Sequence, residues 1–208
     1  MRSWLKVFPA LAFACLAHGQ VRAIRAGKLV DVRSGTVRLN QTILVEGEHI
    51  REVGAGVKVP SGTTVIDLRD STVLPGLIDA HTHVLLQGDI TAADYDEQLL
   101  KQSIPYRAIR ATVAARTALM NGFTAIRDLE TEGAMYADVD VKTAIQRGIV
   151  PGPRMFVATR SFAPTGMYPL LGYSWELKMP EGVQTVDGAD NIRRAVREQV
   201  RFGADWIK

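Results

Sequence analysis

The sequence has 208 residues, of which 47% are hydrophobic and 23% are charged, a composition typical of a globular protein with one or two domains. The net charge of +3 includes no run of Lys or Arg, and the three tryptophans form no stacking array, so the sequence gives no support for nucleic-acid binding. With Cys15 as its single cysteine, the chain cannot form an internal disulfide.

Residues 1–19 have the pattern of a cleavable secretory signal. Basic residues precede an apolar core at residues 7–16, and small residues flank His18 as a cleavage site would require. Pro9 and the short apolar core argue against a stable membrane span. We therefore expect export to the periplasm or the medium, with removal of Cys15 and a net charge of +1. A lipoprotein attached through Cys15 is the less favoured alternative.

Residues 20–72 have the alternation of β-strands and no helical periodicity. In chain order we predict a strand pair within Ala23–Val32 that turns near Gly27-Lys28, a hairpin of residues 42–45 and 49–53, and a strand at residues 63–68. This pattern predicts a small antiparallel β domain ahead of the rest of the chain.

Residues 73–208 alternate between strand and helix patterns. After a first strand we predict, in chain order, a helix at residues 103–120 that Gly122 ends, a strand at 123–127, a helix at 139–147, a strand at 155–158, a helix around 192–200 and a strand at 206–208. This order indicates βαβ units and a parallel sheet. The long loop at residues 160–187 is of the kind that often carries function.

The apolar run Val73–Val84 is the most informative segment, because it carries two histidines two residues apart. Interpreted as a buried strand, it places Asp79, His81 and His83 on one face, since side chains alternate along a strand. Two imidazoles about 7 Å apart along a strand can lean onto one metal ion or a close pair of ions.

This run, Pro75-Gly76-Leu77-Ile78-Asp79-Ala80-His81-Thr82-His83, resembles the first barrel strand of the metal-dependent amidohydrolase superfamily, in its imidazolonepropionase-like and prolidase-like branch. Residues 122–128, 152–155 and 203–208 strengthen the resemblance by their order. The resemblance implies the N-terminal half of a (β/α)8 barrel at residues 73–208, preceded by a β-sandwich at 20–72. A complete barrel needs about 250 residues, so we expect the chain to be an N-terminal fragment.

The resemblance also implies the chemistry. His81 and His83 would bind one divalent ion, and Lys208, carboxylated by CO2, would bridge to another. One or two ions, zinc being favoured, would lower the pKa of a water and polarise a carbonyl oxygen. The implied reaction is hydrolysis of a C–N bond in a small amide, dipeptide or cyclic amide. The general-base aspartate is expected beyond Lys208, so the 208 residues alone are predicted to be inactive.

Four further residues are candidates for supporting roles. Asp79 is a ligand, a barrel-floor residue or, as we prefer, the acceptor behind a histidine ring. For Arg127 and Asp128 a structural ion pair or a helix cap is favoured slightly over a role toward substrate. Tyr168 offers a phenol to a substrate, although aromatic residues in loops more often serve packing.

Two other functions stay open at this point. A phosphotriesterase-like hydrolase would use the same metal site, and a metal-free relative would be a catalytically inactive barrel scaffold. The sequence leaves the oligomeric state undecided, with a homo-oligomer among the options.

Overall fold

A computed structural model describes residues 20–88, 92–167 and 170–208. The predicted signal at residues 1–19 lies outside the described residues. The chain divides into two compact units, one ending at Pro75 and the other beginning at Gly76. Among the described residues, no helix combines the length and the apolar character that crossing a bilayer requires.

The first unit is a four-stranded sheet in the order β3-β2-β1-β4. Its strands are β1 (Val21–Asp31), β2 (Thr36–Glu46), β3 (His49–Gly54) and β4 (Thr64–Val73). The predicted hairpin is confirmed, because β2 and β3 pair antiparallel around a turn in which Gly47 has a φ of +59°. The sheet is mixed, however, and not antiparallel as expected, since β4 pairs parallel to β1.

The predicted strand pair within Ala23–Val32 is wrong, because β1 runs through Gly27 without turning. The register between β1 and β4 shifts between Ala26 and Lys28, so Gly27 lies at a bulge. A Cβ at Gly27 would overlap the backbone oxygen of Arg69 in β4. Glycine is needed here because the two backbones approach each other closely. In the sequence alone, a glycine with this role cannot be distinguished from a glycine in a turn.

The second unit is a mixed α/β structure. Its elements are β5 (Leu77–Thr82), α1 (Ala92–Lys101), α2 (Ile104–Met120), β6 (Phe123–Asp128), α3 (Ala137–Gln146), β7 (Arg154–Val157), β8 (Phe162–Ala163), β9 (Gln184–Thr185) and α4 (Ala189–Arg201). The order β5-β6-β7 forms a parallel sheet, and β8 pairs parallel with β9 inside the predicted long loop.

Helix α2 shows how the sequence builds this unit. The Ser103 side chain accepts a hydrogen bond from the backbone N–H of Tyr106 and caps the first turn. Ala111 and Ala115 are fully buried on one stripe, so the helix packs closely against its neighbours. Gly122 follows with a φ of +92°, which confirms the predicted end of the helix.

The core of the second unit lies between the sheet and its helices. Ile126 of β6 and Met155 and Val157 of β7 are buried, together with Ala111 of α2 and Val141 of α3. This core holds the strands side by side, so the loops that leave their carboxyl ends emerge at one edge.

The structure of this unit differs from the prediction in three places. Helix α1 was not predicted. Strand β5 is an edge strand and not buried, since Ile78 is 73% exposed and β5 pairs only with β6 among the described residues. Residues 206–208 form no regular strand, because the N–H groups of Asp205 and Trp206 both donate to the oxygen of Val157 and the alternating ladder is lost.

Candidate metal site

The site lies where the chain leaves the carboxyl ends of the three parallel strands. His83 follows β5, Glu130 and Glu132 follow β6, and Ser161 follows β7. Because parallel strands place their carboxyl ends at one edge of a sheet, side chains distant in sequence meet there. The backbone oxygen of Lys208 accepts from the N–H of Phe162 at 2.9 Å, which brings the last residue to the same edge.

The two predicted histidine ligands converge. The Nε2 atoms of His81 and His83 are 3.2 Å apart, and the ring centroids are 5.2 Å apart with the rings tilted by 50°. Two nitrogens bound to one tetrahedral zinc ion at about 2.0–2.1 Å would be roughly 3.3 Å apart. The observed separation fits a shared ion and equally fits a direct hydrogen bond between the two rings.

The second ring nitrogen of His83, Nδ1, faces two oxygen atoms of the protein. Its Nδ1 atom lies 3.3 Å from the backbone oxygen of Glu130 and 3.5 Å from Oε1 of Glu132. A proton on Nδ1 donates toward these oxygens and leaves the lone pair of Nε2 directed at His81. Burial, followed by the charge of Lys208, lowers the pKa of His83, so the neutral ring that a metal needs is favoured.

Two buried carboxylates stand beside His83. Glu130 is fully buried, and its carboxylate accepts from Nζ of Lys208 at 2.9 Å and from the hydroxyl of Ser161. Glu132 accepts from the hydroxyl of Tyr95 at 3.2 Å. Burial, and then the neighbouring charge of Glu130, raises the pKa of Glu132 to about 7. A concentration of negative charge away from water favours a cation at this place.

The residues present fit a divalent ion. One ligand atom from each of His83, Glu130 and Glu132 lies within 4.8 Å of the others. This set combines imidazole nitrogen and carboxylate oxygen, which are donors that zinc binds in proteins. His81 lies outside this set, since it meets His83 at Nε2 while the glutamates lie beside Nδ1. Lys208 contributes an amine whose side chain is 31% exposed and ion-paired with Glu130.

Asp79 has a different position from the one preferred in the sequence analysis. Its carboxylate accepts from the backbone N–H of His81 at 3.0 Å, a local bond across two residues that Asp forms readily. The oxygens behind the ring of His83 belong instead to Glu130 and Glu132. Asp79 therefore shapes the backbone at His81.

Arg127 and Asp128 do not form the ion pair that was favoured, because successive residues of β6 point to opposite faces. Nε of Arg127 donates to the oxygen of Ala80 at 2.8 Å, and its guanidinium lies 4.9 Å from the ring centroid of Trp206. Asp128 is fully buried and accepts from the N–H of Val84 at 2.7 Å. Burial raises the pKa of Asp128 well above its usual value.

The contact between Asp128 and Val84 fixes the chain directly after His83. Asp128 caps no helix; it ties the turn beyond β5 to the end of β6. This contact is neither the ion pair nor the helix cap that was favoured, and the sequence did not indicate it. Tyr168, the remaining predicted candidate, lies outside the described residues.

Sequence reasoning missed Glu130, Glu132, Ser161 and Tyr95. One signal could have found the two glutamates, because Asp128, Glu130 and Glu132 alternate immediately after a predicted strand. Carboxylates at this edge of a parallel sheet are candidates for a site. Ser161 and Tyr95 carry no such signal, since their role depends on contacts between distant parts of the chain.

Comparison with known proteins agrees with this geometry. Residues 72–208 match the amidohydrolase family, which is more than half of the chain, and the chain therefore belongs to that family. The prediction of the imidazolonepropionase-like and prolidase-like branch is confirmed by the relatives that follow.

Among characterised sequences, ochratoxinase of Aspergillus niger is 27% identical in a gapped alignment 224 positions long, which covers 95% of this chain and 43% of the relative. Imidazolonepropionase of Micrococcus luteus is 23% identical over 179 residues, covering 83% of this chain and 44% of the relative. Dihydroorotase of Mycobacterium leprae is 46% identical over a shorter stretch of 54 residues, 26% of this chain and 13% of the relative.

Among solved structures, a prolidase complexed with N-methylphosphonate-L-proline superposes with a TM-score of 0.77 at 28% identity, covering 90% of this chain and 46% of that one. A Xaa-Pro dipeptidase with bound methionine has a TM-score of 0.74 at 31% identity, with the same coverage of both chains. The chain thus spans less than half the length of these relatives.

Proposed function

We propose that the whole protein is a metal-dependent hydrolase that cleaves a C–N bond in a small amide, dipeptide or cyclic amide. The observation that carries the proposal is the 3.2 Å separation of the Nε2 atoms of His81 and His83 at the carboxyl edge of a parallel sheet. Relatives named dihydroorotase, imidazolonepropionase and Xaa-Pro dipeptidase support this class of substrate.

In this proposal His81 and His83 hold one divalent ion, which we take to be zinc, and a second ion is an option. Bound there, such an ion supplies a water of lowered pKa and polarises the carbonyl oxygen of the substrate. The oxygens of Glu130 and Glu132 orient the ring of His83 through Nδ1. Asp128 fixes the turn after His83 through the N–H of Val84.

Lys208 belongs to the proposal as the site of a CO2-derived carbamate. The ammonium would lose one proton before its Nζ atom forms a bond to the carbon of CO2 and a second proton once that bond has formed, which gives an anionic ligand in place of a cation. The position of Nζ, 2.9 Å from the carboxylate of Glu130, places the amine inside the same cluster as His83. The general-base aspartate of the reaction would come from outside the 208 residues.

The remaining parts of the proposal concern the whole protein. We infer that the parallel sheet β5-β6-β7 belongs to a (β/α)8 barrel and that the first unit belongs to a β-sandwich, as the resemblance predicts. Export through residues 1–19 is part of the same proposal. The 208 residues made alone are expected to show no turnover, because His81 is exposed on β5, which among the described residues is paired on one side only, with β6.

The proposal is tested with the whole protein, in which zinc content and hydrolysis are measured for His81→Ala and His83→Ala. The substrate panel contains Xaa-Pro dipeptides, N-acyl amino acids, a cyclic amide and a phosphotriester. Both variants should lose stoichiometric zinc, and amide hydrolysis should fall to background, because each removes a nitrogen donor.

His49→Ala is the matched control, since His49 is exposed on β3 in the first unit, and it should change neither quantity. Full zinc content and unchanged rates in His81→Ala would refute the proposal. Zinc-dependent cleavage of the phosphotriester alone would replace the amide with a phosphoester as substrate. Absence of zinc and of all turnover in the unaltered protein would favour an inactive scaffold.

A further inference from the structure

Glu130 is the one described residue that contacts both His83 and Lys208 with its own atoms. Its backbone oxygen lies 3.3 Å from Nδ1 of His83, and its carboxylate Oε2 lies 2.9 Å from Nζ of Lys208. The other carboxylate oxygen accepts from the hydroxyl of Ser161. One residue therefore links the carboxyl ends of β5, β6 and β7 to Lys208, which follows α4.

We infer that Glu130 is a positioning residue that fixes the amine of Lys208 against His83. The inference rests on the proposed function, and no feature of the sequence pattern assigned a role to this residue. Glu130 acts through Lys208 and not directly on a substrate.

Burial makes this contact strong. Glu130 is fully buried, so its carboxylate has no water to solvate it and must be paired with protein groups. The ammonium of Lys208 and the hydroxyl of Ser161, which is only 4% exposed as a residue, satisfy its two oxygens. Removing one partner of such a pair leaves an uncompensated charge in the interior.

Lys208 needs such an anchor. A lysine side chain has about 2 kcal/mol of rotamer entropy, which favours a mobile amine unless a contact offsets it. The Lys208 side chain is still 31% exposed, and its only ion pair among the described residues is the one with Glu130. Without that contact the amine would sample positions away from His83.

Glu132 offers a comparison within the same cluster. It also lies beside Nδ1 of His83, at 3.5 Å, but its second oxygen is engaged by the hydroxyl of Tyr95 and not by Lys208. The charge of Lys208 also acts on Glu132, but the described residues show no hydrogen bond or ion pair between the two, so a change at Glu132 should affect His83 mainly through this direct contact. The two glutamates thus form a matched pair that separates the two effects.

The test is a double-mutant cycle on the whole protein, with the zinc dissociation constant measured by chelator competition. Glu130→Gln keeps the size of the side chain and removes its charge, and it should weaken zinc binding by about 10- to 100-fold, the usual cost of losing a partner outside the ligands. In a Lys208→Met background the same change should add little, because the amine that Glu130 positions is already absent.

Glu132→Gln is the control cycle, and its effect should persist in the Lys208→Met background. A second readout is the carbamate signal in the ¹³C NMR spectrum after incubation with ¹³C-bicarbonate and zinc. That signal should differ from the one of the unaltered protein in Glu130→Gln, where Lys208 has lost its charged partner, and stay the same in Glu132→Gln, a difference that a general loss of stability would not produce.

Wild-type zinc affinity in Glu130→Gln, or equal effects of this change with and without Lys208, would overturn the inference while leaving the proposed function intact. Loss of the proposed function is recognised separately, by the absence of zinc from the unaltered protein. If Glu130→Gln fails to fold, Ser161→Ala takes its place in the cycle. It removes one partner of the same carboxylate, and additivity with Lys208→Met would then refute the inference.

Discussion

The two units of the chain differ in where their ionisable side chains lie. In the first unit the described ion pairs lie at the surface, for example Arg51 with Glu46, whose side chains are 59% and 35% exposed. The second unit encloses ionisable groups, among them Arg107, Asp128 and Asp138, each at most 3% exposed. Buried charge is costly unless it is paired or hydrogen-bonded, so its concentration in one unit marks the part of the chain that carries chemistry.

The largest expected effect is at Arg107 of α2, whose guanidinium donates to three backbone oxygens, those of Leu85, Thr131 and Glu132, at 2.8–3.0 Å. Arg107→Ala removes the donor of the carbonyls of Leu85 and Glu132, while that of Thr131 keeps the N–H of Ala134, and it creates a cavity. The free energy of unfolding should therefore fall by about 3–5 kcal/mol. Urea denaturation followed by circular dichroism measures it. Arg110→Ala, on the same helix, should cost less than about 1 kcal/mol.

A packing effect follows at Gly27, at the bulge of β1. Its Cβ would meet the backbone oxygen of Arg69, which cannot move aside as a flexible side chain would. Gly27→Ala should destabilise the first unit by about 3 kcal/mol, a typical cost of overpacking. Gly56→Ala is the control, because nothing lies within 4 Å of its Cβ position. Equal midpoints of thermal unfolding for the two variants would contradict the bulge geometry.

A pH effect should separate the two units further. Burial raises the pKa of Asp138 from 3.8 to about 7, so the folded state keeps its proton over a range where the unfolded state has lost it. The contribution of Asp138 to the free energy of unfolding is fully present below pH 4. It is lost as the pH rises toward 7, because the unfolded state gives up its proton first. Between pH 4.5 and 6.5 the loss should be about 2 kcal/mol, and Asp138→Asn should remove that slope from unfolding curves. A slope unchanged in the variant would show that Asp138 is ionised in the folded state throughout.

The smallest effect is expected at the surface of the first unit. Arg51→Ala removes a salt bridge of 3.1 Å between exposed side chains, and such pairs contribute about 0–1 kcal/mol. Differential scanning calorimetry at low and high salt should show a change of melting temperature near the limit of detection. A loss as large as that of Arg107→Ala would break the contrast between the two units.

Most of the second unit's fold was predictable because its signals are local. The stripe of small residues in α2 and the glycine after it predicted a helix that begins at residue 103, and the observed helix begins at residue 104. The elements that failed depend on partners elsewhere. Residues 206–208 were expected to pair as a strand with β7. Instead, the N–H groups of the consecutive residues Asp205 and Trp206 both donate to the same oxygen, that of Val157, which does not happen in a regular strand pair. Gly27 was interpreted as a turn because a bulge uses the same residue.

The sequence by itself determined that His81 and His83 share one face, since their spacing matches the period of a strand, and it indicated the family. Only the tertiary structure decided what surrounds them. The contact of His83 with Glu130 spans 47 residues and that of Lys208 with Glu130 spans 78, so both depend on the order of strands in the sheet. A local pattern cannot specify contacts at such separations, because the partner of each group is chosen by how the parallel strands align.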